Sequence, residues 1–379
     1  MKRLITAPAL TACLVCLLLA GCGTDRAQGG EEPLLDDCPV IHLEDTSGVN
    51  MQISIDDFNA LGFEYGDSVD IAFSNGYTME DIPYYNGYYV AAYEPLLVAY
   101  PNAEHVKATI NYGDDLWEAA GLSDDDTADI SMREKAKYLS VQQASDIEYS
   151  DNRDDYPSDE VFANFREVSA GGMKEGVLYR SASPCDNEHN RAPYADGLAK
   201  AAGVRCIADL ADNDEDIEGY IAADDFDSPY FLSLYRSGDV LPLYLSMNYL
   251  DEEFQKELAE GLTEMAGKDG PYLVHCTEGK DRTGFVCMLL GALCGGSYEE
   301  LEDDYMLTYD NYYGINRESD PDRYDTIKKN NFDVMLSAVV SDESVDITKA
   351  DLSGYAHDYM TGIGMDEQTV DTLKEKLAK

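Results

Sequence analysis

Pro271-Tyr272-Leu273-Val274 is a compact apolar run suited to a buried strand, and residues 285–293 form an apolar helix. Between them stands His275-Cys276-Thr277-Glu278-Gly279-Lys280-Asp281-Arg282-Thr283-Gly284. The pattern predicts strand, loop and helix N-terminus, with a thiol where the loop begins and a guanidinium where it ends. Backbone N–H groups of such a loop turn inward as an anion nest, and the helix dipole adds partial positive charge. That environment stabilises a thiolate, and the same cradle binds phosphate. Arg282 can take two phosphate oxygens with its planar fork and hold them while charge redistributes at phosphorus. Gly279 lets the backbone approach the anion without a Cβ. Thr283 is placed to hydrogen-bond the sulfur as it departs in a second step. His275 is expected to order the loop rather than move a proton.

The string His-Cys-x5-Arg-Thr-Gly resembles the signature of the cysteine-dependent tyrosine phosphatase superfamily. Gly279-Lys280-Asp281-Arg282-Thr283-Gly284 is similar to its bacterial branch of secreted tyrosine and lipid phosphatases. A bare Cys-x5-Arg arises often by chance, whereas the full string on a strand-to-helix junction is specific. Asn164-Phe165-Arg166-Glu167-Val168 is similar to the branch's Asn-Phe-Arg-Asp opening, Leu178-Tyr179-Arg180-Ser181 matches its Leu-Tyr-Arg-Ser, and Ala208-Asp209-Leu210 resembles its Asp-Leu-Arg strand end. Two positions depart: Glu167 replaces an Asp, and Ala211 stands where the branch has Arg, which removes a cation near the expected site.

The resemblance implies a phosphoric monoester hydrolase. Cys276 would attack phosphorus to form a phosphocysteine, Arg282 would clamp the transferring group, and Thr283 would support the sulfur. Thr277, Glu278, Gly279, Lys280 and Gly284 would line the bound phosphate, with no metal or organic cofactor. The implied partner is a phosphorylated protein or a phosphoinositide or inositol phosphate, and the residues leave that choice open. A phospho-ligand-binding lipoprotein with little turnover is the alternative, and the intact Cys276 and Arg282 beside an acid stand against it.

Ester cleavage also needs an acid for the leaving oxygen. No Trp-Pro-Asp occurs in the chain. The resemblance implies Asp281 instead, acting first as acid and then as base for the hydrolytic water. Asp239 and Asp251, at loop-like positions upstream, are its rivals, and capping the following helix is the plainer role for Asp281. Lys280 can meet a second phosphate or stay a solvated loop lysine. Glu278 adds negative charge to the rim.

The expected fold class is α/β: a tyrosine-phosphatase-like domain with a central sheet flanked by helices at 161–379, preceded by a small mostly-β domain at 38–126 and an acidic connector at 127–160. Candidate strands of the larger domain are 177–180, 204–210, 230–234 and 272–276. Candidate helices are 194–202, 252–266, 283–293, 298–311 and 324–339, with two short ones in 349–379 around Gly362 and Gly364. The β domain rests on short runs at 49–55, 68–74, 88–100 and 105–112 broken by Gly, Asn, Pro and Asp. Lone Trp117 reads as a packing residue. An adhesive or wall-binding role for that domain is a further alternative.

Lys2 and Arg3, the apolar stretch 4–20 and Leu19-Ala20-Gly21-Cys22 have the layout of a secretory signal at 1–21. Leu-Ala-Gly-Cys resembles the bacterial lipobox, which implies lipidation of Cys22, a flexible tether at 22–37 and attachment of the domain to the outer face of the cell membrane. A plain membrane anchor is the other reading of the stretch.

With 27 Lys plus Arg against 75 Asp plus Glu, the formal charge of −48 excludes nucleic acid as a partner. Hydrophobic residues at 44% and 28 Tyr supply enough apolar material for packed cores. Cys38, Cys185, Cys206, Cys276, Cys287 and Cys294 are too sparse for a disulfide framework, and 206, 287 and 294 lie in apolar runs as core residues. Asp212-Asn213-Asp214-Glu215-Asp216 begins like a calcium loop but has Ile217 in the glycine position, so it is read as a solvated acidic loop. Tyr305, Tyr309, Tyr312, Tyr313 and Tyr324 partly follow helical spacing and are expected to pack.

Overall fold

Short strands dominate the described residues up to Glu134: β1 (Leu35–Ile41), β2 (Val49–Ser54), helix α1 (Ile55–Ala60), β3 (Ser68–Phe73), β4 (Thr78–Tyr85), β5 (Pro95–Val98), β6 (His105–Ile110), helix α2 (Leu116–Ala120) and β7 (Thr127–Glu134). They close into a barrel in the order β1-β2-β6-β5-β4-β3-β7, with β4 and β5 parallel and the other pairs antiparallel. Val40, Met51, Val69, Ile71, Ala108 and Ile130 fill its interior, and Phe58 and Phe63 of the α1 segment stack on each other at 4.2 Å. Among the described residues, closure leaves the barrel no free strand edge. The computed structural model behind this description covers residues 34–43, 47–342 and 344–379. The expected signal segment, Cys22 and most of the tether lie outside those residues.

Three features differ from the sequence reading. The barrel begins at Leu35, inside the stretch read as tether, and β7, which closes it, lies wholly beyond residue 126 in the stretch read as connector. The apolar run 88–100 forms a strand only at Pro95–Val98, because the chain before it turns through Gly87 and through Tyr93, whose φ is 69°. Trp117 packs at the barrel end with its ring stacked on His42 at 5.3 Å.

After helix α3 (Leu139–Ser145) and the short α4 (Asp159–Phe162), strands and helices alternate: β8 (Arg166–Glu167), β9 (Leu178–Ser181), α5 (Ala192–Ala202), β10 (Cys206–Asp209), α6 (Asp214–Ile221), α7 (Pro229–Ser237), β11 (Val240–Pro242), α8 (Glu252–Gly267), β12 (Tyr272–His275), α9 (Asp281–Leu293) and α10 (Tyr298–Tyr313). Four short helices follow: α11 (Pro321–Ile327), α12 (Asp333–Val340), α13 (Leu352–Gly362) and α14 (Glu367–Leu377). The five-stranded sheet runs β11-β10-β12-β9-β8, parallel except for β8. Successive residues of β12 serve opposite faces. Tyr272 and Val274 join the core built with α8, α9 and the C-terminal helices, and Leu273 joins Ala195, Ile217 and Phe231 of α5, α6 and α7. Helix α9 is buried from Thr283 to Leu293, as expected of a helix apolar all round.

The stretch 230–234, read as a strand from its aromatic composition, is instead the middle of α7. Pro229 stands at its first turn, Gly238 ends it in the left-handed region at φ 76°, and the Asp196 carboxylate accepts from the amides of Tyr230 and Phe231. Caps outweigh composition here. The helix expected at 324–339 is broken into α11 and α12 by a π turn at Lys328–Phe332. Asp212 is buried, and Asn213 caps α6 through a capping box, so the acidic run is a helix start rather than a solvated loop. Among the described residues no helix is long and apolar enough to cross a membrane.

Candidate active site

β12 is central in the sheet, and its C-terminal end, where ligands bind in parallel α/β sheets, delivers Cys276 into the loop that precedes α9. Four carbonyls of the loop, 277–280, are held by fixed donors. The Ser183 amide donates to Thr277 O at 3.0 Å, the Tyr312 hydroxyl to Glu278 O at 2.8 Å, and the Asn164 amide group to Gly279 O at 3.1 Å. Arg180 Nη2 reaches Gly279 O at 2.9 Å and Lys280 O at 3.4 Å. The four corresponding amides, 277–280, make no hydrogen bond among the described residues. With these four carbonyls held outside, those donors face the inside of the turn, which is the geometry of an anion nest.

Gly279 is required by both backbone and space. Its φ is +68°, and a Cβ there would stand 2.2 Å from the Ser181 carbonyl oxygen. Gly284 is held against the Tyr305 ring, where a Cβ would come within 2.6 Å. Arg282 extends along the mouth, its Nη1 donating to Leu245 O at 3.2 Å and its Nη2 to Thr277 Oγ1 at 3.4 Å, while Nε is buried without a partner. Thr283 Oγ1 is likewise buried and makes no hydrogen bond, so the expected bond to sulfur is not formed in this state.

The acidic residues around the loop separate by position. Asp281 begins α9 and lines two cavities, of about 790 and 530 Å³; burial pushes its carboxyl above the usual range, with Lys280 pulling against the shift and Glu278 adding to it. Asp239 precedes β11 at the opposite end of the parallel strands, paired with Lys268 at 3.4 Å. Asp251 caps α8, accepting from the amides of Glu253 and Phe254. Ala211, where Arg is expected, lines a cavity of about 380 Å³ together with Arg282 and Asp251.

Lys280 is not the solvated loop lysine that its position in sequence allows. It pairs with Glu278 at 3.1 Å and Asp281 at 3.8 Å and lies over the rings of Tyr309 and Tyr313. Glu278 also accepts from the Tyr149 hydroxyl at 2.7 Å. Burial opposes its ionisation, but Lys280 and Tyr149 hold the carboxyl below the usual range.

A family model described as the tyrosine phosphatase family matches residues 160–379, more than half of the sequence. The chain belongs to the tyrosine phosphatase family. It is accordingly a cysteine-dependent phosphoric monoester hydrolase. No curated protein matches it. Solved structures that it resembles include the core catalytic domain of the PP-IP phosphatase SIW14 from S. cerevisiae in complex with citrate, at 18% identity, 45% of this chain, 88% of that one and a TM-score of 0.26. A TpbA variant from P. aeruginosa in complex with pTyr aligns at 16% identity over 52% of this chain and 90% of that one, TM-score 0.28. TpbA itself aligns at 17% over 46% and 88%, TM-score 0.26.

The phosphatase loop is braced from behind by a buried cluster in which Arg180, whose Leu-Tyr-Arg-Ser string suggests a residue flanking the loop, meets Asp304, which no motif disclosed. Asp304 of α10 holds Arg180 at 2.5 Å and Arg166 at 3.2 Å, all three largely buried, and Arg166 in turn holds Asn164 Oδ1 at 2.5 Å. The tyrosines of α10 do pack, and Tyr312 also donates to the loop; only its spacing was visible in sequence. Tyr149 likewise comes from the acidic stretch read as connector.

Behind the loop, Cys185, Asp209 and His275 place their ligating atoms within 4.8 Å of one another, a donor set that could hold a soft divalent ion. Both His275 ring nitrogens are buried without hydrogen bonds, and Asp209 Oδ2 stands 3.6 Å from Nε2. Burial lowers the His275 ring to about 4 and raises the Asp209 carboxyl to about 7, while burial and the neighbouring Asp209 raise Asp212 to about 7. His275 is therefore a neutral residue under the loop, set apart from proton transfer at its mouth.

Proposed function

We propose that the phosphatase works through a phosphocysteine on Cys276, with Asp281 as its acid and base and a phosphotyrosine side chain as its substrate. The four outward-held carbonyls carry the reading, because they free the amides 277–280 to bind the phosphoryl oxygens around the thiol. In the first step the Cys276 sulfur forms a bond to phosphorus, the bond to the leaving oxygen breaks, and Asp281 gives that oxygen its proton. In the second, the Asp281 carboxylate takes a proton from water, the water oxygen attacks phosphorus, and the sulfur leaves as thiolate. Arg282, fixed along the mouth by Leu245 O and Thr277, has the reach to bridge two equatorial oxygens.

Lys280 favours phosphotyrosine over phosphoinositides. A second phosphate would have to compete for this cation with Glu278, which pairs with it at 3.1 Å. The test is release of p-nitrophenol from p-nitrophenyl phosphate by the full chain and by Cys276→Ser, with an acid-quenched search for phosphoenzyme. Turnover that survives in Cys276→Ser overturns the mechanism; absence of turnover in the parent chain supports a phospho-ligand-binding lipoprotein instead.

Attachment to the outer face of the cell membrane through lipid on Cys22 is proposed on the Leu19-Ala20-Gly21-Cys22 string. Cys22→Ala should move the protein from the membrane fraction to the soluble one.

A further inference from the structure

The position of Asp281 decides on which side of the loop the leaving group lies, since an acid must touch the oxygen it protonates. Asp281 lines a cavity of about 790 Å³ and an adjoining one of about 530 Å³. The larger is walled by the barrel, by α3 and the segment after it, and by α10, α11 and the start of α12; the smaller lies between the barrel and Met247, Tyr249, the π turn and α12. The barrel wall carries Tyr88, Tyr89 and Val90 ahead of β5, and Tyr112 just after β6.

Three observations tie this wall to the chemistry. The Tyr112 phenol, raised by burial, feels Arg282 and Asp281, and that of Tyr89 feels Lys280. Tyr93 and Tyr112 hold left-handed backbones, at φ 69° and 51°, which bulky side chains adopt only when the surroundings fix them. Tyr93 joins the barrel to the phosphatase domain, its hydroxyl accepting from the Asn248 amide group at 3.3 Å. The cleft is also acidic. Glu80, Asp81 and Glu94 line the barrel side, and the lining cation, Lys280, is already paired. Arg133 and Lys137 reach Glu80 and Asp81 from outside the lining.

We propose that the cleft between the barrel and the phosphatase sheet binds the substrate beyond its phosphate, and that it takes a singly phosphorylated aromatic leaving group flanked by basic residues. The barrel is then a specificity element of the enzyme. Tyr89 and Tyr112 offer flat faces to the aromatic ring and the flanking peptide, and Glu94 and its neighbours attract cationic side chains. Added phosphates on the leaving group would meet carboxylates on the barrel wall. This inference rests on Asp281 marking the leaving-group side, as in the proposed mechanism.

Its test reads binding instead of turnover. In the full chain carrying Cys276→Ser, fluorescence anisotropy compares a phosphotyrosine peptide flanked by Lys with one flanked by Glu, and inorganic phosphate serves as a competitor that fills the loop alone. At low salt the Lys-flanked peptide should bind about tenfold more tightly, a preference that salt screens. Tyr89→Ala and Tyr112→Ala should each weaken it about fivefold, the scale of one aromatic contact, while competition by phosphate stays within about twofold. Glu94→Gln should narrow the gap between the peptides. Equal affinity for the two peptides, barrel variants without effect, or equal loss of peptide and phosphate binding would each overturn the proposal. If the parent chain shows no turnover, the mechanism fails while these affinities still report on the cleft.

Discussion

Arg180 donates to the Gly279 carbonyl at 2.9 Å with one arm and holds Asp304 at 2.5 Å with the other, so a fully buried charge fixes the back of the phosphate loop. Arg180→Met leaves the Asp304 carboxylate buried beside Arg166 alone. It should cost about 3–5 kcal/mol of stability, read by urea unfolding. The loosened loop should lose about 10²-fold in kcat/KM. The conservative variant Arg180→Lys keeps a cation for Asp304 and should recover much of the stability without the activity, because one ammonium cannot hold Asp304 and the Gly279 carbonyl together. Recovery of both would mean that Arg180 acts as a fold residue alone.

Gly279→Ala puts a methyl group 2.2 Å from the Ser181 carbonyl oxygen at a φ of +68°. Neither atom is the end of a flexible side chain, so the loop or β9 must move. Turnover of p-nitrophenyl phosphate should drop at least about 10²-fold. An activity within a few-fold of the parent would show that the anion nest tolerates a shifted backbone.

Asp281 donates its proton in the first step, so activity requires the acid form. Burial raises its pKa, which keeps that form present to higher pH than an ordinary aspartate allows, and kcat should fall as pH rises through the raised value. In Asp281→Asn this alkaline limb should disappear, with kcat on a phosphotyrosine peptide down by about 10²–10⁴. Nitrophenolate leaves without protonation, so p-nitrophenyl phosphate should suffer less. Equal losses on both substrates would remove Asp281 from the acid role.

The group under the loop makes stability depend on pH. Asp209 and Asp212, raised to about 7, keep protons that the unfolded chain loses above about 4, whereas His275, lowered to about 4, lacks one that the unfolded chain holds up to about 6.5. Between about pH 5 and 6 the native state therefore binds roughly one extra proton, and this group favours the native state less as pH rises. Asp212→Asn removes one of the two protons and nearly balances the remainder. Relative to the parent, it should gain on the order of 1 kcal/mol for each pH unit between about 5 and 7. Thermal unfolding at pH 5, 6 and 7 gives the slope, and parallel slopes would deny the shift.

What could be read from sequence was local. Tyr272 to Gly284 announces strand, loop and helix because apolar runs abut a glycine-bearing turn, and the structure places β12 and α9 there. The Asn164 and Arg180 motifs were visible as strings; their shared target, the loop carbonyls, emerges from contacts 99 and 115 residues apart, and Arg166 supports them through Asn164 and Asp304. Residues 230–234 misled because Tyr, Phe and Leu suit strands, while Pro229 and Gly238 at the ends decided for a helix. Burial of Lys280 was equally hidden, since its tyrosine neighbours belong to α10.

The bracing of the loop has a consequence for how the enzyme comes into being. Its carbonyls are gripped by Asn164, Arg180 and Tyr312, at separations of 115, 99 and 34 residues, so no local segment can form the nest alone. Long-range contacts of this kind are completed late in folding, after loop-closure entropy has been overcome. A chain still emerging, or crossing a membrane unfolded, would carry Cys276 without the nest around it. Catalytic power would arrive with the last tertiary contacts, making activity a reporter of complete folding.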